Sequence, residues 1–564
     1  MTETKLELNE AKALGWTVAS GLFILAVFAG ILWLNPPFRY GSGEPRPVLF
    51  ITGLFMLATL VSLWSLRYAL RVKESTHQLW WLIVIFAFLF RGMFLCSNPI
   101  LEIDYYRYIW DGMVLGEGVS PYLYSPQQVL ASTPVGSDEY QTLAALANES
   151  PSHHTILSRV HYAEFTTIYP PVSQVVFCLA AKWVAPTAPV EAHIFWMKFS
   201  LVLFDVATIW IVGLLLLRLQ KHVGWLLLYG WNPLVIKEVA NSGHLDSIAT
   251  FFLTMAIYGL IRVLQSDGKK SPNPWLLGSG TFLGLGIGAK LFPVVLFPAF
   301  LISISRRNWR DSVLFLLSFV IVTSACLAPM FLTSPRWQEK LHQRAPLSIE
   351  STGESDTELL DASKEGLSSF LSQWRMNDVI FSSIYRNLKP DAPSASSAPW
   401  YVFVSNSLRR SVRKWCRDHE IGGDNPAFSL ARGATLMLFA TIYLLLVRQL
   451  RRGEPAEVIS TLFFLLASFL FLQPTVNPWY WLWVMPLVCF TRNPGWWLVS
   501  MWMFLYYTRF WCKSLTGEYS FLGADFSGVG VFDHGIAWVE FALIVAGVLL
   551  GRRWALTHEG PAKG

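Results

Sequence analysis

The chain has 564 residues, of which 53% are hydrophobic and only 15% charged, against roughly a quarter charged in an average soluble protein. A membrane helix takes about 20 mostly apolar residues, so this composition excludes a soluble globular enzyme, a disordered chain and a disulfide scaffold. The net charge of +6 is small and scattered and gives no sign of a nucleic-acid partner, and the six cysteines show no metal-ligand spacing.

What remains is an all-α polytopic membrane protein. The polar N-terminal stretch MTETKLELNEAK carries no cleavage pattern, which predicts that the first apolar run is retained as a helix. Apolar runs predict about fourteen transmembrane helices, at 15–34, 48–65, 79–97, 193–217, 223–241, 244–264, 274–289, 290–305, 311–332, 430–448, 456–473, 478–491, 495–510 and 536–551. Basic clusters at Arg67/Arg71/Lys73, Arg218/Lys221, Arg262/Lys269/Lys270, Arg306/Arg307/Arg310, Arg448/Arg451/Arg452 and Arg552/Arg553 all fall on the cytoplasmic side if the N-terminus is cytoplasmic. Two long segments, 98–192 and 333–429, then lie outside, as do 241–244, 473–478 and 511–535. The apolar stretch 170–185 is read as a juxtamembrane or re-entrant helix starting at Pro170-Pro171. A full crossing there would invert every later loop.

This organises the chain as an N-terminal two-helix extension (1–78), a transmembrane core (79–332) carrying the large outer loop 98–192, a second outer loop (333–429) and C-terminal transmembrane helices (430–564). The outer loop 333–429 opens with SIESTGESDTELLDASKEG, a flexible composition. The amphipathic SSFLSQWRMNDVIFSSIYRNL and the linker PDAPSASSAPW follow.

Polar residues gather on one predicted membrane face. In LEIDYYRYIWDGMVLGEGVSPYLYSP, Asp104, Arg107/Tyr108 and Asp111 share one face of a short helix, with Glu102 on the leading turn. Acids at the mouth of a bundle are costly unless solvated, paired or in use; the plainer reading is an interfacial helix anchored by its aromatics. In WNPLVIKEVANSGHLDSIATFF, Lys237, Glu238, Asn241, His244 and Asp246 crowd the ends of two spans around a tight turn at Gly243; the plainer reading is a solvated loop. Lys290, between two apolar runs, is either a phosphate ligand or a cation snorkelling to the interface. In QPTVNPWYWLWVMP, Trp479, Tyr480, Trp481 and Trp483 read first as an interfacial belt, with stacking on a sugar ring as the alternative. Arg375, Asn377 and Asp378 could cap the same outer cavity.

The series Glu102-Ile-Asp104-Tyr105, Asp111-Gly112, Gly118-Val-Ser120-Pro121-Tyr122 and Tyr169-Pro170-Pro171 resembles the first lumenal or periplasmic loop of the glycosyltransferase C superfamily. Within it, the chain is similar to polyprenol-phosphate-mannose-dependent mannosyltransferases: the bacterial α-mannosyltransferases and the catalytic subunit of GPI mannosyltransferase I. Asn232-Pro233, Gly243-His244-Leu-Asp246, Lys290 with Phe292-Pro293, and Pro478-Trp479-Tyr480 match patterns of the bacterial members. Departures are Glu102 where the GPI enzymes carry Asp, two extra spans before residue 79, and the insert 333–429.

The resemblance implies a glycosyltransferase C-like helical bundle and transfer of a sugar, mannose by analogy, from a polyprenyl-phosphate donor to an envelope glycan or lipid acceptor. It would proceed by an inverting single displacement on the periplasmic face. It makes Asp104 the base, with Glu102 and Asp111 orienting the acceptor or a metal. Lys290, Arg375 and Arg107 become phosphate ligands. Glu238, His244 and Asp246 hold sugar hydroxyls or position the first loop, and Tyr169, Lys237, Asn377, Trp479 and Tyr480 complete the substrate site. Mg2+ or Mn2+ at Glu102 and Asp104 suits carboxylate chemistry and is left open. The C-terminal THEGPAKG carries no retention signal, which favours a bacterial cytoplasmic membrane. Two rival classes are a lipid-linked sugar flippase or transporter, and a surface-polysaccharide polymerase or ligase using a diphosphate-linked donor.

Overall fold

The computed structural model describes residues 2–73, 77–131, 137–266, 274–306, 309–333, 374–391, 398–423, 425–452 and 454–558. The segment SIESTGESDTELLDASKEG, the middle of the PDAPSASSAPW linker, and Lys269, Lys270 and Arg307 lie outside the described residues. Helix dominates, as the composition demands. The one sheet among the described residues is an antiparallel hairpin, Glu518–Phe521 with Ala524–Ser527, turned at Leu522-Gly523. Both turn residues have positive φ, as a two-residue hairpin turn requires.

Nine helices among the described residues are long and apolar enough to cross a membrane. They are Glu10–Trp33, Val48–Ala69, His77–Leu95, Val190–Arg218, Asp246–Leu264, Trp309–Leu332, Pro426–Leu450, Pro455–Leu472 and Gly528–Arg553. The other expected spans are short or broken. The run 223–241 divides into Val223–Leu226, Leu227–Gly230, Pro233–Ile236 and a π turn Lys237–Asn241. The runs 478–491 and 495–510 likewise alternate 3-10 and α turns. Proline is the physical reason: Pro233, Pro293, Pro478, Pro486 and Pro494 each lack the amide that a continuing helix needs. Asparagine starts several of these pieces. Asn232 Oδ1 accepts from the amides of Leu234 and Val235, and Asn493 Oδ1 from that of Gly495.

By internal contacts the chain forms two compact units: Met1–Leu101 with Ile209–Glu238 and Ser372–Gly564, and Glu102–Thr208 with Val239–Leu371. The first unit has an aromatic core. Phe28 packs edge-on against Phe90 and Phe94, and Phe55 lies face to face with Phe504 at 5.0 Å. Arg91, buried inside the span His77–Leu95, donates to the carbonyls of Ala87 and Gly230. The last span of this unit runs from the α turn Gly528–Val531 through a π turn, Phe532–Ile536, into Ala537–His558.

In the second unit, the long loop before residue 190 folds into short helices: Tyr105–Gly116, Pro126–Leu130, Asp138–Asn148, Pro151–Ser158 and Pro171–Lys182. Serine caps start three of them, at Ser125, Ser137 and Ser150. Helix Pro171–Lys182 spans about 18 Å at about 1.5 Å per residue, short of the roughly 30 Å hydrocarbon core. It lies against Tyr105–Gly116 where Gly112 removes a side chain: a Cβ there would stand 2.4 Å from the carbonyl oxygen of Phe177. Ser173 Oγ ties the same helix to the carbonyl of Ala289 at 2.8 Å.

Gly112→Ala should therefore force the two helices apart and destabilise the protein by roughly 1–3 kcal/mol, as overpacking does. Gly92→Ala, where a Cβ meets nothing within 4 Å, should be neutral. Thermal unfolding of the two purified variants in detergent checks the contrast.

Candidate active site

The second unit carries the densest set of ionisable side chains. Helix Asp246–Leu264 begins with an acid, and Lys290 follows directly after helix Pro274–Ala289. Each helix therefore presents the charge that its terminal backbone groups favour. The helices pack closely, since a Cβ at Gly259 would come within 3.1 Å of Ser279 Cβ. Their charged ends meet: Lys290 Nζ donates to Asp246 Oδ1 at 2.6 Å, with the carboxylate fully buried and the lysine 19% exposed. Just before Asp246 the chain turns at Gly243, whose φ of +69 suits glycine and whose missing side chain admits the stem of Lys198. His244 is buried in the same turn.

Asp104 sits at the head of helix Tyr105–Gly116 and makes no capping bond with its side chain. It is half-buried, whereas Glu102 and Asp111 are buried. Desolvation holds the Asp104 carboxyl above its ordinary range; the charges of His161, Lys290 and Arg107 pull it back, and Asp246 pushes it up again. Two turns along, burial raises Asp111 to about 6 against the lowering effect of Arg107, Thr167 and Gln174. Gln174 Nε2 donates to Asp111 Oδ2 at 3.2 Å and to Thr167 Oγ1 at 3.0 Å. Arg107 donates to the carbonyls of Tyr162 and Phe165 at 2.8 and 3.1 Å, which locks the helix to the chain that carries His161. Tyr108 lies on Phe177 and edge-on to Tyr169. Tyr122 Oη donates to the carbonyl of Tyr169 at 2.7 Å.

These groups differ in exposure. Asp104 and Lys290 are partly open, and Glu102, Asp111 and Asp246 are buried. A half-buried carboxyl whose pKa is raised is a stronger proton acceptor than an ordinary carboxylate, and cationic neighbours can hold an anion beside it. For a metal, the described residues offer no group of three His, Cys, Asp or Glu side chains. Glu102 and Asp104 alone would leave most of a divalent ion's coordination to substrate or water, so no step below passes through one.

The first unit holds the other expected site residues in three groupings. Lys237 and Glu238 are fully buried at 3.4 Å, with Lys237 Nζ 3.7 Å above the Tyr507 ring and the Tyr507 hydroxyl donating to Glu238 Oε1. Arg375 donates to Asp378 at 2.8 Å and to Ser382 at 2.7 Å, and Asn377 donates to Glu540 Oε1 at 3.0 Å. Arg375, Arg386, Arg509, Asp533 and His534 line a cavity of about 120 Å³. Tyr480 stacks on Trp483 at 4.5 Å, and Trp479 meets Tyr506 edge-on. The expected interfacial belt is corrected here: Tyr480, Trp481 and Trp483 are buried, because the Pro478–Trp483 turn is packed inside the unit, whereas belt rings point outward.

Several site neighbours escaped the sequence reading. Lys198 and Asp205 are fully buried within the span Val190–Arg218; their signal was available, since ionisable residues inside an apolar run mark function or pairing. His161, Thr167 and Gln174 had no such signal, because each belongs to the site only through folding of the loop.

A model of glycosyltransferase family 87 matches residues 165–363. The match takes in Tyr169, Gln174, Lys198, His244, Asp246 and Lys290 but stops short of Asp104. No curated protein and no solved structure matches the chain. The family match, together with the apolar helices, supports a multi-pass membrane glycosyltransferase.

The Lys290–Asp246 pair yields a double-mutant test. Lys290→Met should cost roughly 3–5 kcal/mol by stranding a buried carboxylate. Adding Asp246→Leu should recover most of that loss. Unfolding of both variants and the parent measures it, and equal stability of Lys290→Met and the parent would refute the pairing.

Proposed function

We propose that this chain transfers a sugar, mannose by resemblance, from a polyprenyl-phosphate donor to a glycan or lipid acceptor of a bacterial envelope, on the periplasmic face of the cytoplasmic membrane. The reading rests above all on one observation: the half-buried Asp104 carboxyl, with its raised pKa, among His161, Lys290 and Arg107.

In this reaction Asp104 takes the proton of the acceptor hydroxyl while the acceptor oxygen bonds to the anomeric carbon. The bond from that carbon to the phosphate oxygen breaks, and the lipid phosphate leaves with the electron pair. One displacement inverts the anomeric centre, so a single carboxylate base is enough and no second carboxylate nucleophile is needed. Lys290 is the cation placed to steady the departing phosphate, and Asp246 holds it there. Arg107 ties the loop down through Nη2 alone, which adds a positioning role to its place as a third phosphate ligand. Glu102 and Asp111 are the buried acids of the set, with Gln174 fixing Asp111. Tyr169 closes one side of the helix that carries Asp104. His244, buried in the turn before Asp246, is assigned to a sugar hydroxyl in this reading. Lys237, Glu238, Arg375, Asn377, Trp479 and Tyr480 remain substrate-contact proposals of the first unit.

Membranes containing the chain, incubated with radiolabelled polyprenyl-phosphate-mannose, should form a labelled glycan or glycolipid. Diphosphate-linked donors should not replace the monophosphate, and movement of the donor across liposomes without sugar transfer would favour the transporter class instead. Asp104→Asn should abolish product at unchanged expression and stability; normal transfer by that variant would refute the base assignment. The rate should climb with pH along an acid limb lying above the usual carboxylate range, because only the ionised carboxyl accepts a proton. His161→Ala removes a charge that lowers the Asp104 pKa, so it should move that limb to higher pH. An unmoved or downward-shifted limb contradicts the assignment.

A further inference from the structure

The most basic helix among the described residues takes no part in the site described above. Helix Asn406–Asp418 reads NSLRRSVRKWCRD and has three distinct faces. One face is fixed to its own unit: Arg409 is buried and makes a two-pronged contact with Asp391 at 2.7 and 2.8 Å, and Cys416 is buried one face-repeat later. Anchoring that face leaves the other two exposed.

Leu408 and Trp415, at i and i+7, form an exposed apolar stripe, 55% and 52% accessible. Arg410, Arg413, Lys414 and Arg417 fall on the opposite side and are all exposed. Just ahead of the helix, Phe403 is 86% exposed and Trp400 43%. Only residues 419–425 separate the helix from the membrane-span helix Pro426–Leu450, which Asn425 caps. That short tether keeps the helix near the end of a span, where bilayer and water meet.

We propose that helix Asn406–Asp418 lies in the membrane interface and docks on anionic phospholipid headgroups. Leu408 and Trp415 sink among the upper acyl carbons. Arg410, Arg413, Lys414 and Arg417 remain at headgroup level, where each basic side chain near an anionic surface adds attraction. The same contact explains the local basic cluster Arg410, Arg413, Lys414 and Arg417 within segment 333–429. Lysine and arginine are disfavoured on the outer side of a membrane near span ends, and headgroup binding is a local reason to keep four of them exposed together.

The test is hydrogen exchange on the full-length protein, read on peptides covering 406–418. The protein is held in nanodiscs of phosphatidylcholine alone, or of phosphatidylcholine with about one-third phosphatidylglycerol. Amide exchange should be about tenfold slower in the anionic discs, and high salt should reduce the difference. The R410Q/R413Q/K414Q/R417Q variant should lose the dependence on anionic lipid, and L408S/W415S should raise exchange in both disc types. Exchange across Pro426–Val447 reports whether each variant is folded. Equal exchange of the parent protein in both discs overturns the proposal. So does an anionic-lipid effect that survives in R410Q/R413Q/K414Q/R417Q.

Discussion

The salt bridge from Lys290 to Asp246 is the joint on which the second unit turns. Two antiparallel helices bring an acid at one amino end to a cation at one carboxyl end, and glycine at 259 lets the helices close enough for the ends to meet. A charge pair buried this deeply gains little net stability, because its desolvation offsets the attraction. What it confers is position. Asp246 fixes the end of the Lys290 side chain, and Ser173 fastens helix Pro171–Lys182 to the residue just before Lys290. Through the close approach at Gly112 that helix sets the position of Tyr105–Gly116, and so of Asp104 at its head.

Much of this was legible in the residues. The i, i+3/i+4, i+7 spacing of Asp104, Arg107 and Asp111 placed them on one helix, and the structure starts that helix right after Asp104. Gly243 was read as the turn between two spans, and its left-handed backbone makes it so. Pro170-Pro171 signals a helix start in the stretch 170–185, and a helix, Pro171–Lys182, begins there, with twelve residues against the roughly 20 of a span. The count of continuous spans was less legible. An apolar run measures hydrophobicity and not hydrogen bonding, so a run interrupted by Pro233 or Pro478 looks like a span yet folds as broken turns. Such turns satisfy their backbone only when other protein surrounds them, and residues 478–483 are almost wholly buried for that reason.

Partners are harder to read than positions. Lys290 looks alike in sequence whether it holds a phosphate or a carboxylate; only the fold shows Asp246 against it. Nothing in the spacing around Arg107 shows that its guanidinium meets two carbonyls from residues far along the loop. His161 sits in a plain stretch, HYAEF, and gains its influence on Asp104 only because those two hydrogen bonds fold the loop back. Periodicity reports faces within an element. It is silent on which distant element those faces will meet.

The π turn at Phe532–Ile536 bears on how the first unit tolerates change in length. A π turn carries one residue more than an α turn would, and each residue advances a helix by about 100°. Asp533 and His534 lie in that turn, and His534 meets the Tyr401 hydroxyl at 2.9 Å while Glu540, further along, meets Asn377. Deleting any one residue of the turn would let the helix wind evenly and swing one of these two contacts out of reach of its partner. The spacing between them is thus set by chain length as much as by side-chain identity, and single-residue gaps should be rarer here than substitutions.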